Sequence, residues 1–238
     1  MADCCECVWQ ERRETGNALG LLAFFYQVHS RQFGVMDHPK GTAMEHSLAI
    51  QFGLTADELL DAVNRRFRLK VALEGAVAEV QMEKQIRPLV GSAIERYETH
   101  DLDGHPDFSI WLPNAKKPLL AECKNVRNHE EAYRKGGEVV AYKAETQKTR
   151  ASKGDPTSRF YGVDQFDILG VCLGKKTGDW SDFMFARVVD LARHQTHKGK
   201  LAVFQRVPLP DSESLAPWYN DLGELLRQCT LTRSTRRK

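Results

Sequence analysis

The sequence lacks the features that mark membrane and secreted proteins. No stretch approaches the roughly 18 consecutive apolar residues that a transmembrane helix requires. The most apolar N-terminal segment, residues 18–28, is short and follows a mixed-charge stretch, which is not the pattern of a signal peptide. The six cysteines form neither the even framework of a disulfide-stapled domain nor the paired spacing of a zinc site. We therefore expect a cytoplasmic protein.

The chain also lacks a strong net charge. Its formal charge is +2 over 238 residues, and 42% hydrophobic and 28% charged residues are ordinary values for a globular protein. Basic side chains are concentrated instead around Arg65, Arg66 and Arg68 and in the tail at 232–238. Such clusters can neutralise phosphates. Taken alone, a solvated helix face or a terminal tail is the simpler interpretation of either cluster.

Helical patterns dominate residues 1–69, which we expect to form an N-terminal helical segment. Residues 44–52 and 56–67 are predicted to be two helices separated by a short turn. Thr55 followed by Glu58 is the pattern of a capping box at the start of the second helix.

These two predicted helices resemble a helix-turn-helix. Ala49, Gly53 and Leu59 fall where that motif has a small residue, a turn glycine and a buried aliphatic residue. The second helix would lead into the basic cluster at 65–68, which suits DNA binding. Ordinary helical hairpins share the pattern, and the alternative is that this segment extends a dimer interface.

Residues 70–238 are predicted to form the core domain. We expect a long helix over 70–97 that is interrupted near Pro88, a second helix over 130–150, and a C-terminal amphipathic helix over 218–230. Alternating or continuous apolar patterns predict the strands, at 107–112, 119–124, 166–173, 183–189 and 201–207. Helices followed by a strand-rich middle indicate an α/β (α+β) fold.

The most informative pattern is Pro106-Asp107 followed about fifteen residues later by Glu122-Cys123-Lys124. Strand side chains alternate, so Glu122 and Lys124 share one face while Cys123 points to the other. If the two predicted strands pair as a hairpin, Asp107 comes close to this face. Two carboxylates and an ammonium group would then converge at one edge of the sheet.

A bound divalent cation would explain why these charged groups converge. Two nearby carboxylates repel each other, and a bound cation removes the conflict. Oxygen ligands completed by water suit Mg²⁺, with Mn²⁺ as a substitute. Lys124 would either orient and deprotonate the attacking water or stabilise the transition state of phosphodiester hydrolysis.

Each of these residues also has a purely structural interpretation. Asp107 could cap a turn after Pro106, and Glu122 with Lys124 could be a charge pair on an exposed edge strand. The apolar run 119–121 argues against the second interpretation, because it predicts a central strand.

Pro106-Asp107 and Glu122-Cys123-Lys124 resemble the signature of the PD-(D/E)XK nuclease superfamily, to which many type II restriction endonucleases belong. The resemblance implies a mixed central sheet flanked by helices, a crossing helix after the lysine, and metal ligation by Asp107 and Glu122. It also implies a glutamate on the upstream helix that faces the metal. Glu79 matches that position best, with Glu74 as the alternative.

A basic loop at 147–161 also resembles restriction-endonuclease sequence. Its hydroxyl and basic side chains suit a loop that contacts DNA phosphates. We predict DNA contacts from its four basic residues, Lys148, Arg150, Lys153 and Arg159.

These observations favour a sequence-specific, Mg²⁺-dependent endonuclease of a restriction-modification system that acts on double-stranded DNA as a homodimer. The alternatives are a structure-specific repair or mobile-element nuclease, and a DNA-binding regulator that retains a non-catalytic nuclease fold.

Overall fold

The computed structural model describes residues 46–102, 104–128, 130–148 and 154–235. Its α-helices in these ranges are α1 (Ser47–Phe52), α2 (Ala56–Asn64), α3 (Phe67–Ile86), α4 (Gly174–Thr177) and α5 (Leu222–Thr235). Its strands there are β1 (Arg96–Thr99), β2 (Phe108–Trp111), β3 (Leu119–Asn125), β4 (Ala132–Lys135), β5 (Glu138–Glu145), β6 (Ile168–Cys172), β7 (Phe183–Arg187) and β8 (Phe204–Val207).

The two predicted N-terminal helices are α1 and α2. The Thr55 hydroxyl accepts a hydrogen bond from the Glu58 backbone N–H at 3.2 Å, and the Glu58 carboxylate accepts from the Thr55 N–H at 2.8 Å. This confirms the capping box. Gly53 adopts a left-handed conformation (φ 63°) between the helices, as a turn glycine should. Helix α2 ends at Asn64, so its predicted extension to residue 67 was wrong.

Helix α3 confirms most of the helix predicted over 70–97 and its interruption near Pro88, but the predicted continuation of the helix beyond Pro88 was wrong. The helix stops before Pro88, where the chain passes through a short 3-10 turn at Arg87–Leu89. Proline favours such a boundary because it has no backbone N–H, so Pro88 cannot donate the next hydrogen bond of the helix. The residues beyond form β1, which pairs antiparallel with β2. Sequence periodicity did not reveal this strand.

The central sheet has five strands in the order β1-β2-β3-β6-β7. Strands β3 and β6 run parallel, and the other neighbours are antiparallel, so the sheet is mixed. Strand β6 is buried throughout, as its continuous apolar sequence predicts. The predicted mixed α/β fold is confirmed.

Helices α3 and α5 pack against one face of this sheet. Their buried side chains join the strand residues in one apolar cluster, with Ala78, Met82 and Ile86 from α3 and Leu222, Leu225 and Leu226 from α5. A Cβ atom at Gly170 would lie 2.7 Å from Met82 Sδ. Glycine at this position therefore permits α3 to lie close to β6.

A second, three-stranded sheet in the order β4-β5-β8 packs against the other face, where Ala144 and Val207 join buried residues of β6 and β7 in a second apolar cluster. The helix predicted over 130–150 was wrong, because β4 and β5 form a hairpin there. Gly136 and Gly137 both have positive φ (61° and 90°), which is the backbone conformation that a tight hairpin turn requires. The crossing helix implied by the family resemblance is replaced by this hairpin in the described residues.

Residues 1–45 lie outside the described residues, so the predicted division of the chain at residue 70 stays a prediction. Within the described residues, every helix is too short or too polar to cross a membrane.

Candidate active site

The site lies at a fork between β2 and β3. Three residue pairs join these strands, and the last of them is Phe108 with Ala121. Beyond that pair β3 continues to Asn125 with β6 alone as its partner. Asp107 stands at the opening of the fork, where its Oδ2 accepts a hydrogen bond from the Cys123 backbone N–H at 2.6 Å. The aspartate therefore satisfies a backbone donor that β2 no longer pairs.

Glu122 and Lys124 share one face of β3, as strand alternation predicts, and Cys123 is buried in the apolar cluster on the opposite face. Lys124 Nζ donates a hydrogen bond to Glu122 Oε1 in an ion pair. The side chain of Glu122 is 5% exposed and that of Lys124 is 25% exposed. Because β3 lies between β2 and β6, the interpretation as a charge pair on an exposed edge strand is wrong.

Tyr161 completes the environment of Glu122 and was not among the predicted site residues. Its hydroxyl donates to the same Oε1 atom at 2.5 Å, and its ring lies 5.5 Å from Lys124 Nζ. The backbone carbonyl of Tyr161 accepts from the Leu201 N–H at 2.9 Å, and its ring packs edge-on against Phe166. The bonds to Glu122 and Leu201 join distant parts of the chain, so no sequence spacing indicates them.

Each carboxylate keeps one oxygen available. Asp107 uses Oδ2 and Glu122 uses Oε1 in hydrogen bonds, and no group among the described residues donates to Asp107 Oδ1 or Glu122 Oε2. The described residues hold no group of three or more His, Cys, Asp or Glu side chains arranged to bind a metal ion. A cation here would therefore have two carboxylate ligands and would need water to complete its shell, a donor set that fits Mg²⁺ or Mn²⁺.

The electrostatics of the site agree with this fit. Burial, reinforced by the negative charge of Glu122, raises the pKa of Asp107 well above its ordinary value. Burial lowers the pKa of Lys124, but the negative groups around it, led by Glu122, outweigh burial and raise it overall. The positive charge of one lysine thus does not fully balance the negative charges of two neighbouring carboxylates.

Glu79 lies on α3 near this cluster, although its residue is largely exposed. The surrounding protein raises the pKa of the Glu79 carboxyl by desolvation, Lys124 opposes the shift, and Asp101 and Glu122 add to it. Glu79 is therefore within electrostatic range of the site, and Asp101 is a nearby acid that the sequence did not indicate. Glu74, the alternative, instead forms an ion pair with Lys175 at 2.7 Å.

The predicted DNA-contacting residues fall into separate groups. Lys148 lies beside the site, with its Nζ 5.6 Å from the Tyr161 ring centroid. Arg159 donates its Nε hydrogen to the Lys148 carbonyl at 3.1 Å, which closes the base of the loop. Arg150 and Lys153 lie outside the described residues.

The basic cluster at 65–68 spans the junction of α2 and α3 instead of extending one helix. Arg65 caps the end of α2 and pairs with Asp61 at 3.3 Å, and Arg66 precedes the first residue of α3. Arg66 and Arg68 are exposed. DNA contact by all three arginines stays a prediction.

No protein-family model matches the chain, and no curated protein matches it. Among solved structures, the bacterial homing endonuclease I-Ssp6803I aligns with a TM-score of 0.40 and 12% sequence identity, over 70% of this chain and 97% of that chain. A likeness this distant does not assign an activity.

Proposed function

We propose that this chain is a metal-dependent DNA endonuclease of the PD-(D/E)XK type. One observation carries the proposal: Asp107, Glu122 and Lys124 meet at the open fork between β2 and β3, and each carboxylate keeps one oxygen free of protein hydrogen bonds. A structural ion pair has no need of a second, crowded carboxylate, whose burial is unfavourable.

We propose Mg²⁺ as the cofactor, held by Asp107 and Glu122 with water in the remaining positions. When bound, a divalent cation polarises the phosphodiester and makes water a better nucleophile at neutral pH. Glu79, on α3, would contribute indirectly, by accepting a hydrogen bond from a water molecule.

Lys124 is held as an ammonium group by its ion pair with Glu122. In this state it donates hydrogen bonds and positive charge, which suits stabilisation of the charge that develops on the phosphate. Asp107 and Glu122 act as fixed anionic ligands because their other oxygens are anchored by Cys123 and Tyr161. Such anchoring keeps a site organised before the substrate arrives.

Double-stranded DNA is the proposed substrate, and Lys148 is the basic residue best placed to reach it near the site. Arg159, the loop residues Arg150 and Lys153, and the cluster of Arg65, Arg66 and Arg68 are proposed to add phosphate contacts. Phosphate contacts of this kind position a duplex without reading its sequence.

We further propose that the protein acts as a homodimer, so that two sites related by a two-fold axis cut both strands of a palindrome. Apolar side chains exposed on α1–α3 support an association surface, and Phe67 is 73% exposed. Light scattering coupled to size-exclusion chromatography tests this proposal. A monomer at micromolar concentration, with and without DNA, would contradict it.

The function is tested by digesting several unrelated plasmids with the purified protein and Mg²⁺. Discrete fragments from each plasmid are expected, and mapping their ends gives the recognition site. A smear, or cutting confined to branched or mismatched DNA, would replace sequence specificity with structure specificity. Binding without cleavage on every plasmid and on genomic DNA would favour the non-catalytic regulator.

A further inference from the structure

Glu122 receives two hydrogen bonds on a single oxygen. Lys124 Nζ and the Tyr161 hydroxyl both donate to Oε1, and no described residue donates to Oε2. Two donors on one oxygen define the rotation of the carboxylate about its last bond. The arrangement therefore directs Oε2 away from both donors and leaves it for another ligand.

The two donors differ in how firmly they are held. Lysine has a long flexible side chain. Tyr161, in contrast, is half-buried, is tied to Leu201 through its backbone carbonyl, and packs its ring against Phe166. In the proposed function, Lys124 is also the group that engages the phosphate of bound DNA. Once it does so, Tyr161 is the donor that remains on Glu122.

We propose that Tyr161 is a positioning residue of the active site, which holds Glu122 in its metal-binding orientation while Lys124 engages the substrate. This role rests on the proposed endonuclease function and names a residue outside the Asp-Glu-Lys signature. The Nζ atoms of Lys124 and Lys148 lie 5.5 and 5.6 Å from the centroid of the Tyr161 ring. The ring is therefore close both to a lysine of the site and to a lysine proposed to contact DNA.

The chain contains a matched control for this contact. Glu83 on α3 also accepts two hydrogen bonds on Oε1, from Arg87 at 2.9 Å and from the Tyr97 hydroxyl at 2.8 Å. Tyr97→Phe therefore removes the same kind of hydroxyl–carboxylate hydrogen bond as Tyr161→Phe. The glutamate that loses this bond in Tyr97→Phe lies outside the proposed active site.

The test compares both variants with the wild-type protein by calorimetric titration with Mn²⁺ and by steady-state cleavage with Mg²⁺. Removing a group that orients a metal ligand weakens metal binding or activity by about 10- to 100-fold. We expect Tyr161→Phe to show about a ten-fold loss in Mn²⁺ affinity and kcat, with KM for DNA changed less than about two-fold. Tyr97→Phe should stay within about two-fold of wild type in every measurement.

The outcomes separate this role from the proposed function. If the wild-type protein binds Mn²⁺ and cuts DNA while Tyr161→Phe matches it in both, the positioning role is wrong and the endonuclease stands. Equal losses in the two tyrosine variants would also contradict the role, because they would indicate a general structural effect. A wild-type protein that neither binds Mn²⁺ nor cuts DNA would overturn the proposed function and this role together.

Discussion

Glu122 and Glu83 have the same kinds of hydrogen-bond partner but lie in different surroundings. Each accepts one bond from a basic side chain and one from a tyrosine, on a single oxygen. Glu83 is 25% exposed on a helix surface, and its bonds from Arg87 and Tyr97 lower its pKa. Glu122 is 5% exposed and shares its site with Asp107.

The difference shows what separates a structural ion pair from a candidate active site. The Glu83–Arg87 pair joins residues one helical turn apart, a local contact worth less than about 1 kcal/mol at a surface. The Glu122–Lys124 pair, in contrast, is largely buried and lies beside a second carboxylate, that of Asp107. It also lies at the open fork between β2 and β3. Those surroundings are unfavourable for stability in the absence of a cation, so function is the better explanation for them.

Replacing the basic partner of each glutamate should give the largest contrast. We expect Lys124→Ala to reduce cleavage by about 10²- to 10³-fold, because it removes positive charge from the reacting phosphate, while DNA binding stays nearly intact. Arg87→Ala should leave cleavage unchanged. Cleavage rates with Mg²⁺ and gel shifts with Ca²⁺ measure both effects, and retained cleavage by Lys124→Ala would remove Lys124 from the mechanism.

Neutralising one acid in each region should change stability in opposite directions. Asp107→Asn relieves the crowding with Glu122 and should raise the free energy of unfolding of the metal-free protein by about 1 kcal/mol, while cleavage is lost. Glu83→Gln loses an ion pair and should lower it by less than about 1 kcal/mol, with cleavage retained. Urea denaturation in the presence of a chelator measures both. A destabilised Asp107→Asn would show that this aspartate is structural.

The smallest effect should come from the acid at the margin of the site. Glu79→Gln is expected to reduce the cleavage rate by less than about ten-fold, since Glu79 acts on the site from α3 without a direct bond to it. Glu74→Gln is the control, because Glu74 pairs with Lys175 instead. A larger loss of cleavage with Glu74→Gln, measured by the same digest, would assign the role of the helix glutamate to Glu74 instead of Glu79.

The parts of the molecule that sequence predicted are those governed by short-range rules. The Thr55–Glu58 capping box and the shared face of Glu122 and Lys124 follow from fixed spacing, and the structure has both. The β4–β5 hairpin was missed because its Glu, Ala, Lys and Arg residues favour a helix, and this preference outweighed the Gly136-Gly137 turn signal.

The contacts of Tyr161 could not be predicted from the sequence. Its hydroxyl bonds to Glu122 and its backbone carbonyl to Leu201, residues that only the tertiary fold brings close to it. The place of Glu79 near the site was predicted through family resemblance alone, because helix periodicity gives no reason to prefer it over Glu74. Residues 1–45 and the loop residues Arg150 and Lys153 stay at the level of prediction.

The most direct test replaces each glutamate of the pair with its uncharged counterpart. Plasmid is digested by the wild-type protein, Glu122→Gln and Glu83→Gln, with Mg²⁺ and with a chelator. We predict Mg²⁺-dependent cleavage by the wild type and by Glu83→Gln, and none by Glu122→Gln. Cleavage by Glu122→Gln at the wild-type rate, or wild-type cleavage that persists in the chelator, would contradict a metal-dependent nuclease centred on Glu122.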